Sequence, residues 1–415
     1  MDRAVHGVAA SDGLGPRTAV AAMFLASASV PLYIHLPRFA TDIGLSLATV
    51  GTVLLAIRIL DCVQDPLLGW LAQRLTNYRR HMAAAAFLSL GLGFFWIFAL
   101  QPGLFAFVLG LVVISTAFSL GTILFYSQCV ANAAPGGARD HYRLAGWRET
   151  GTLAGILVAA ILPQIGLMVL GAPENYALLG ATVLLAAPLV LWTVAPLWQR
   201  PVAAQGHLSL RPLLSGRPLW LLVLALVNAL PVATTATLFL FFVEDRLRLP
   251  DLAAVFLLLF FVAAGASASG WSRLAQRFGP RRVLAGAMLI AILAFAWTAL
   301  LPAGAAGAFA VICIVSGAAL GADMVILPAL FSATLAEADM PSALGFGAWN
   351  FANKLALALA AGLLLPALEL SGYVPGGENS EPVLAVLTAA YAVVPLGLKL
   401  PALLMVLRLP TGDMP

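Results

Sequence analysis

Long apolar runs follow one another along the whole chain, separated by short polar stretches rich in Arg, Pro or Gly. Each run is about 20 residues or longer, the length that an α-helix needs to cross the hydrocarbon core of a bilayer. We therefore predict twelve membrane-spanning helices and no soluble domain. Their predicted bounds are 17–36, 47–72, 82–100, 103–130, 143–170, 176–198, 218–243, 251–272, 282–301, 304–331, 342–369 and 383–408.

The composition leads to the same class of protein. Hydrophobic residues make up 62% of the chain and charged residues 10%, and the mean hydropathy is +0.99. Soluble domains carry about 25% charged residues, so we expect a multi-pass membrane protein embedded in a lipid bilayer. The net charge of +4 comes from loop arginines and indicates no nucleic-acid partner. Neither a Gly-x-Ser-x-Gly nor a His-Glu-x-x-His motif occurs, so no enzyme is predicted.

Arginine is distributed unevenly between the predicted loops. Twelve arginines lie in loops on one side of the membrane and three in loops on the other. Because Lys and Arg are enriched in cytoplasmic loops, the first side is predicted to be cytoplasmic, together with both termini. The loops are short, and the 22 basic residues are 20 Arg and 2 Lys. Both features favour a bacterial-type plasma (inner) membrane.

The longest polar segment between spans divides the chain into two halves of six spans each. Residues 199–217 are predicted to be a cytoplasmic linker between an N-terminal bundle, 1–198, and a C-terminal bundle, 218–415. The halves also echo each other, since LAQRLTNYRR at Leu71–Arg80 has a counterpart in LAQRFGPRR at Leu274–Arg282. This six-plus-six parallel repeat resembles the major facilitator superfamily. The predicted fold is all-α, with two six-helix bundles related by a pseudo-twofold axis.

The second span carries an arginine and two aspartates in an otherwise apolar run, RILDCVQDPLLGW at Arg58–Trp70. Arg58, Asp61 and Asp65 are spaced i, i+3 and i+7, so they project from one helix face, with Gln64 beside them. A charge facing lipid at mid-bilayer would cost about 2.5 to 3.5 kcal/mol. We therefore predict that this stripe faces the protein interior or a water-filled cavity.

The charge balance of the stripe suggests a cation site. One interpretation is structural, with Arg58 neutralising one aspartate. The second aspartate still leaves a charge of minus one, which in a medium of low dielectric requires a proton, a metal cation or another base. Asp61 and Asp65 can supply oxygen ligands to Na⁺ or share a proton, and the residues alone do not choose between these coupling ions.

Three stretches resemble the glycoside-pentoside-hexuronide:cation symporters, the family that contains the melibiose permease. They are RILDCVQDPLLGW at Arg58–Trp70, RLAGWRETGTLAG at Arg143–Gly155 and GFGAWNFANKLALALA at Gly345–Ala360. The resemblance implies that Asp61 and Asp65 bind the coupling cation and that Arg58 organises them. It further implies that Lys354 couples the cation and solute sites.

Lys354 is a lone base in the apolar eleventh span, where Asn350 and Asn353 extend its polar face at i−4 and i−1. A lysine in this position needs a carboxylate partner. Our hypothesis is that Lys354 and the cation alternate in neutralising the second-span aspartates. The alternative is a structural contact between Lys354 and Asp323 of the tenth span.

Candidate solute-binding side chains lie on several spans. One face of the fourth span carries a stripe of neutral hydroxyl groups, Ser115, Ser119, Thr122 and Tyr126. Such a stripe either lines a pocket or holds helices together. The other candidates are Tyr33, Arg148, Asn350, Asn353 and Asp323.

Two further charged positions have simpler interpretations. Arg148 and Glu149 enter the fifth span together, and a local ion pair or an interface anchor is an alternative to solute binding for Arg148. Lys399, in the last span, is expected to snorkel toward the cytoplasmic headgroups.

The nature of the solute is constrained by what the first and fourth spans lack. Sugar-transporting members of the family use acidic residues on these spans to hold sugar hydroxyls, and this sequence has none there. The resemblance also extends to relatives that carry lysolipids. The solute is therefore left as a small organic molecule, sugar-like or amphiphilic.

Taken with the resemblance, these patterns predict a secondary transporter that works by alternating access, as a monomer, and symports a solute with Na⁺ or H⁺. No cofactor is expected besides this coupling ion. One alternative is a proton-coupled exporter that uses the same carboxylates. Another is a non-transporting membrane partner or sensor that keeps a transporter fold, although the retained charge stripe argues against it.

Overall fold

A computed structural model of the chain describes residues 13–29, 36, 39, 40, 43–45, 47–170, 175–202 and 211–409. These residues are mostly helical, and none of them forms a β-strand. The principal helices are α1 (Leu14–Ala26), α2 (Leu47–Arg74), α3 (Arg79–Phe98), α4 (Leu104–Ala133), α5 (Gly137–Leu170), α6 (Asn175–Val194), α7 (Gly216–Phe241), α8 (Ala253–Phe278), α9 (Pro280–Ala296), α10 (Ala306–Glu337), α11 (Ser342–Leu370) and α12 (Glu381–Leu407).

The helices follow the predicted spans. From α2 onwards every helix begins and ends within six residues of its predicted bounds. The first helix is shorter than predicted, because α1 ends at Ala26 and most of the rest of that span lies outside the described residues. Among the described residues, nine helices are long and apolar enough to cross a membrane, and α1, with 13 residues, is shorter. The chain is thus an all-α, multi-pass membrane protein.

Helix is the form in which an apolar segment satisfies its backbone hydrogen bonds without water. Prolines inside the helices weaken this pattern locally, because each lacks the N–H that would bond to the preceding turn. Such prolines include Pro66 in α2 and Pro231 in α7. In α12 a π-helical turn, Ala389–Val393, lies directly before Pro395.

The chain forms two compact units. The first consists of Met1–Pro212 and Ser332–Phe351, and the second of Leu213–Phe331 and Ala352–Pro415. The end of α10 and the first turns of α11 therefore belong to the same unit as the first half of the chain. The passage from the first unit to the second after Pro212 falls within the segment predicted as a linker.

Aromatic side chains fill the centre of each unit. In the first, Phe24 of α1 stacks on Phe87 of α3 with their ring centroids 5.1 Å apart. In the second, the rings of Phe242 and Tyr391 stack at 4.1 Å. Stacked and tilted rings add directional contacts to apolar packing. The aromatic cores thereby fix how the helices of each unit lie against one another.

Two glycines on α5 allow α1 to approach it closely. A Cβ atom added at Gly151 would lie 2.1 Å from the carbonyl oxygen of Ala19, and one added at Gly155 would lie 2.2 Å from that of Met23. Glycines spaced four apart permit this backbone contact between membrane helices. The same α5 carries Arg148 and Glu149 one turn earlier, so this packing also fixes their position.

Candidate functional site

Helix α2 places both second-span aspartates in the interior of the first unit. Asp61 is 2% exposed and Asp65 is 0% exposed, whereas Arg58 and Gln64 are half-buried. The helix continues through Pro66, so the i, i+3, i+7 spacing keeps these side chains on one face. An ionised carboxylate at such a position must be compensated by hydrogen bonds and by positive charge.

A hydrogen-bonded network joins this face of α2 to α4. The Oδ1 atom of Asp61 accepts hydrogen bonds from Gln64 Nε2, at 3.0 Å, and from the hydroxyl of Ser115. The Oε1 atom of Gln64 accepts one from Thr116 Oγ1 at 2.9 Å. A carboxylate, an amide and two hydroxyl groups therefore form one cluster. Thr116 was not predicted, because it lies beside the hydroxyl stripe of α4 rather than on it.

Asp65 lies where α2 meets the first turns of α11, within the first unit. A Cβ atom added at Gly347 would lie 2.8 Å from the carbonyl oxygen of Asp65 and 3.1 Å from the Cα atom of Gly69. One added at Gly69 would lie 2.8 Å from the carbonyl oxygen of Ala343. Glycine is thus required on both helices, one turn from the buried carboxylate. These contacts account for Gly69 in the second-span motif and for Gly347 in the eleventh-span motif.

A second charged cluster lies where α5 meets α4. Arg148 Nε donates to Glu149 Oε1 at 2.7 Å, and both residues are buried. The guanidinium carbon of Arg148 lies 4.1 Å from the centroid of the Tyr126 ring, a cation–π contact. The Tyr126 ring in turn packs edge-on against Phe346, with centroids 5.0 Å apart. The predicted local ion pair is formed, in the interior of the unit rather than at the membrane interface.

The hydroxyl stripe of α4 reaches both clusters. Ser115 bonds to Asp61, and Tyr126, about 16 Å further along the helix axis, contacts Arg148. Between them Ser119 is buried, and the Thr122 hydroxyl has no hydrogen-bond partner among the described residues. Part of the stripe therefore joins helices, at Ser115 and at Tyr126.

The remaining candidates are distributed over both units. Asn350, half-buried, belongs to the first unit, and Asn353 and Lys354, also half-buried, belong to the second. Asp323 is buried in the second unit. Tyr33 lies outside the described residues.

Lys399 does not snorkel, and that expectation is wrong. Its Nζ atom lies 2.5 Å from Asp323 Oδ2 and 2.6 Å from Asn228 Oδ1, and the residue is 7% exposed. The carboxylate on α10 and the amide on α7 hold the ammonium group inside the second unit. Asp323 thus forms an ion pair with Lys399, a partner that the sequence analysis did not consider.

No group of three or more His, Cys, Asp or Glu side chains in the described part of the chain is arranged to hold a metal ion. A cation bound at the aspartates of α2 would therefore need neutral oxygen atoms as further ligands. Hydroxyl and amide oxygens suit a hard cation in that role, and Ser115, Thr116 and Gln64 carry such atoms next to Asp61.

Residues 18–413 match a family model described as "MFS/sugar transport protein". Among solved structures, a bacterial homologue of the iron transporter ferroportin is 16% identical, covers 95% of this chain and 98% of its own, and gives a TM-score of 0.70. The E. coli fucose:proton symporter is 16% identical, with coverages of 94% and 98% and a TM-score of 0.67. The human organic anion transporter is 16% identical, with coverages of 95% and 99% and a TM-score of 0.68. No curated protein sequence matches. This chain shares the fold of these structures.

Proposed function

Since this chain belongs to the MFS/sugar transport protein family and is a secondary transporter, we propose that it moves a small organic solute together with Na⁺ or H⁺ by alternating access. We place it in the plasma membrane with both termini in the cytoplasm, following the arginine distribution. In this proposal it works as a monomer.

The burial of two carboxylates on one membrane helix carries this proposal. Asp61 and Asp65 are almost completely enclosed, and Arg58 is the single base among the charged residues of their stripe. Whichever aspartate Arg58 neutralises, the stripe keeps one negative charge. A buried negative charge requires a compensating positive charge, and in this proposal the coupling cation supplies it during the working cycle.

The groups around Asp61 suit a small cation. The Ser115 hydroxyl and the Gln64 side chain lie within hydrogen-bond distance of its carboxylate. These groups would turn their oxygen lone pairs toward a bound Na⁺, or remain hydrogen-bonded to the carboxyl group if H⁺ is the coupling ion. The fold is shared with a fucose:proton symporter, so H⁺ stays in the proposal beside Na⁺.

We assign solute binding to the side chains of Thr122 and Tyr126 on α4 and of Arg148 on α5. A half-buried aromatic ring next to a guanidinium and an uncommitted hydroxyl can hold a neutral solute by stacking and hydrogen bonding. Because Glu149 neutralises Arg148, a net charge on the solute is not required. A sugar-like or amphiphilic neutral molecule fits this chemistry.

Lys354 is assigned a coupling role on the basis of charge. In the absence of the cation, its ammonium group would neutralise the excess negative charge of the α2 aspartates. Cation binding would release it, so that the empty and the fully loaded carrier are both neutral and able to change conformation.

The experiment is uptake into proteoliposomes. Radiolabelled sugars and lysolipids are screened with an inward Na⁺ gradient, an inward H⁺ gradient or no gradient. One solute should accumulate only when one of the gradients is present, and Asp65→Asn should abolish this accumulation. Asp251→Asn changes an exposed aspartate in the same way and should leave uptake intact. In Lys354→Ala the number of cations per solute should change.

Two outcomes would refute the proposal. The first is uptake that equilibrates the solute without responding to either gradient. The second is gradient-driven accumulation that Asp65→Asn leaves unchanged.

A further inference from the structure

The second unit contains a partly open cavity between its own helices. It has a volume of about 80 Å³ and is bounded by α7, α8, α9, α10 and α12. Most of its lining is apolar, with Phe260, Ile292 and Phe295 among the residues that form it. Asp323 and Lys399 also line it, and they are the charged residues of its wall. An ion pair thus stands at the edge of a largely apolar space.

The pair is held by three helices. Lys399 of α12 contacts Asp323 of α10 at 2.5 Å and Asn228 of α7 at 2.6 Å. Each of the three residues is at most 7% exposed. Pro231, one turn after Asn228, also lines the cavity. The ion pair is therefore buried between three helices, and its two charged residues form part of the cavity wall.

The ion pair leaves hydrogen-bonding capacity unused. Asp323 Oδ1 is buried and has no hydrogen-bond partner among the described residues. The Lys399 ammonium group has three N–H donors, and two of them are occupied by Asp323 and Asn228. A buried polar atom without a partner is costly, and native structures usually supply one. Asp323 and Lys399, which both line the cavity, thus keep one strong acceptor and one strong donor without a partner among the described residues.

The other polar groups of the wall are already engaged. Ser316 Oγ donates to the carbonyl oxygen of Ile312 at 2.6 Å. Thr235 Oγ1 donates to the carbonyl oxygens of its own helix, Val232 at 3.0 Å among them. Asp323 and Lys399 are therefore the groups that can select an occupant.

The electrical neutrality of the pair defines the class of occupant. A carboxylate would be repelled by Asp323 and an ammonium group by Lys399, and neither would gain a net attraction from the pair. A hydroxyl group matches both requirements, because its O–H can donate to Asp323 Oδ1 while its oxygen accepts from Lys399 Nζ. The apolar remainder of the wall suits a hydrocarbon body.

We propose that the cavity beside Asp323 and Lys399 is a binding site for a small neutral molecule that carries a hydroxyl group on an apolar body. This site lies inside the second unit and involves none of the α2 aspartates. It therefore does not depend on the cation coupling proposed above.

The test uses two photoactivatable probes on the purified wild-type protein. One is a diazirine derivative of hexan-1-ol, and the other is the matching diazirine derivative of hexane, which lacks the hydroxyl group. After illumination, labelled residues are identified by mass spectrometry. The alcohol should label cavity-lining residues of α7, α9, α10 or α12, and unmodified hexan-1-ol should compete. The hydrocarbon should label them about tenfold less at the same sub-saturating concentration, because it forgoes a charge-assisted hydrogen bond.

Two variants test the ion pair and the volume of the cavity separately. Asp323→Leu combined with Lys399→Met removes both charges together, a change that buried pairs often tolerate. It should lower labelling by the alcohol to the level of the hydrocarbon. Ala291→Phe keeps the pair but fills the cavity, and should remove labelling by both probes. If one of the two variants does not fold, probe labelling of the other still tests the proposal.

Three results would overturn the proposal. They are equal labelling of the wall by both probes, alcohol labelling that hexan-1-ol does not compete with, and alcohol labelling that persists in the folded variants. Each would mean that apolar probes partition into the protein without using the ion pair.

Discussion

Individual side chains decide what each buried charge can do. The α2 stripe holds two aspartates and one arginine, whereas Arg148 with Glu149 and Lys399 with Asp323 are matched pairs. Each matched pair is neutral by itself, whereas the charged residues of the stripe sum to minus one. We propose the cation site at α2 for this reason.

The hydroxyl of Ser115 is predicted to stabilise the Asp61 carboxylate. In Ser115→Ala the buried carboxylate loses one donor, which should lower stability by about 1 to 3 kcal/mol. Thermal unfolding in detergent measures the change. Ser371→Ala, where the lost hydroxyl bonds to its own helix at Leu368, is the control and should unfold close to wild type. Equal melting temperatures for wild type and Ser115→Ala would contradict the assignment.

The Arg148–Glu149 pair is predicted to behave as a unit. Either Arg148→Met or Glu149→Gln alone leaves one buried charge without its partner and should cost about 3 to 5 kcal/mol. The double variant should recover much of this loss, since both charges are gone. Thermal unfolding of the four proteins gives the coupling between the two side chains. Additive losses would show that the 2.7 Å contact contributes nothing.

At the scale of the helices, close backbone contacts position the charged clusters. Gly151 and Gly155 bring α5 against α1, and Gly69 and Gly347 bring α2 against the start of α11. In a membrane, such contacts replace the hydrophobic effect as the main attraction between helices. The positions of Arg148 and Asp65 thus depend on glycines, which have no side chain that could bind an ion or a solute.

Gly151→Ala is predicted to separate α1 from α5. The added methyl group would lie 2.1 Å from the Ala19 carbonyl oxygen, so the helices must move apart at a cost of about 1 to 3 kcal/mol. Gly362→Ala in α11 is the matched control, because nothing lies within 4 Å of its added carbon. Thermal unfolding should show a loss for Gly151→Ala and none for Gly362→Ala. A loss of thermal stability in Gly362→Ala and none in Gly151→Ala would contradict this packing of α1 against α5.

The end of α5 that is predicted to face the cytoplasm contains a buried histidine. With 34 residues, α5 is about 51 Å long, which exceeds a hydrocarbon core of about 30 Å, and its residues 137–142 precede the predicted span 143–170. There His141 Nδ1 lies 2.6 Å from the hydroxyl of Ser332, and burial lowers the pKa of His141 to about 4.

Because the folded pKa of His141 lies below the unfolded value of about 6.5, the neutral form stabilises the fold. This contribution is present above pH 6.5 and is lost as the pH falls toward 4, by about 3 kcal/mol in total. The melting temperature of wild type should therefore fall across this window. His141→Gln keeps a hydrogen-bonding group that does not titrate, and its melting temperature should fall less. Parallel curves would show that His141 does not contribute.

At the scale of the whole molecule, the sequence predicts the helices but not their neighbours. Hydropathy located α2 to α12 within six residues, because the bilayer sets the length of each span. It could not pair Lys399 with Asp323, 76 residues away, since such a pair depends on which helices touch. Thr116 was missed because it lies beside the hydroxyl stripe of α4 rather than on it. Helix periodicity correctly indicated that the aspartates of α2 face inward, because a lipid-facing charge is costly.

The central claim is that Asp61 and Asp65 bind the coupling cation, and ion binding to the purified protein tests it without knowledge of the solute. Thermal stability and tryptophan fluorescence are followed against Na⁺, Li⁺ and pH for wild type, Asp65→Asn and Asp251→Asn. We predict a saturable response to Na⁺ or Li⁺, or to pH alone if H⁺ is the coupling ion, that Asp251→Asn keeps and Asp65→Asn loses. The pH series is measured with His141→Gln present in all three proteins, so that His141 does not contribute to the response. If wild type and Asp65→Asn respond identically to Na⁺, Li⁺ and pH, the account is contradicted. The charged stripe of α2 would then have a structural role.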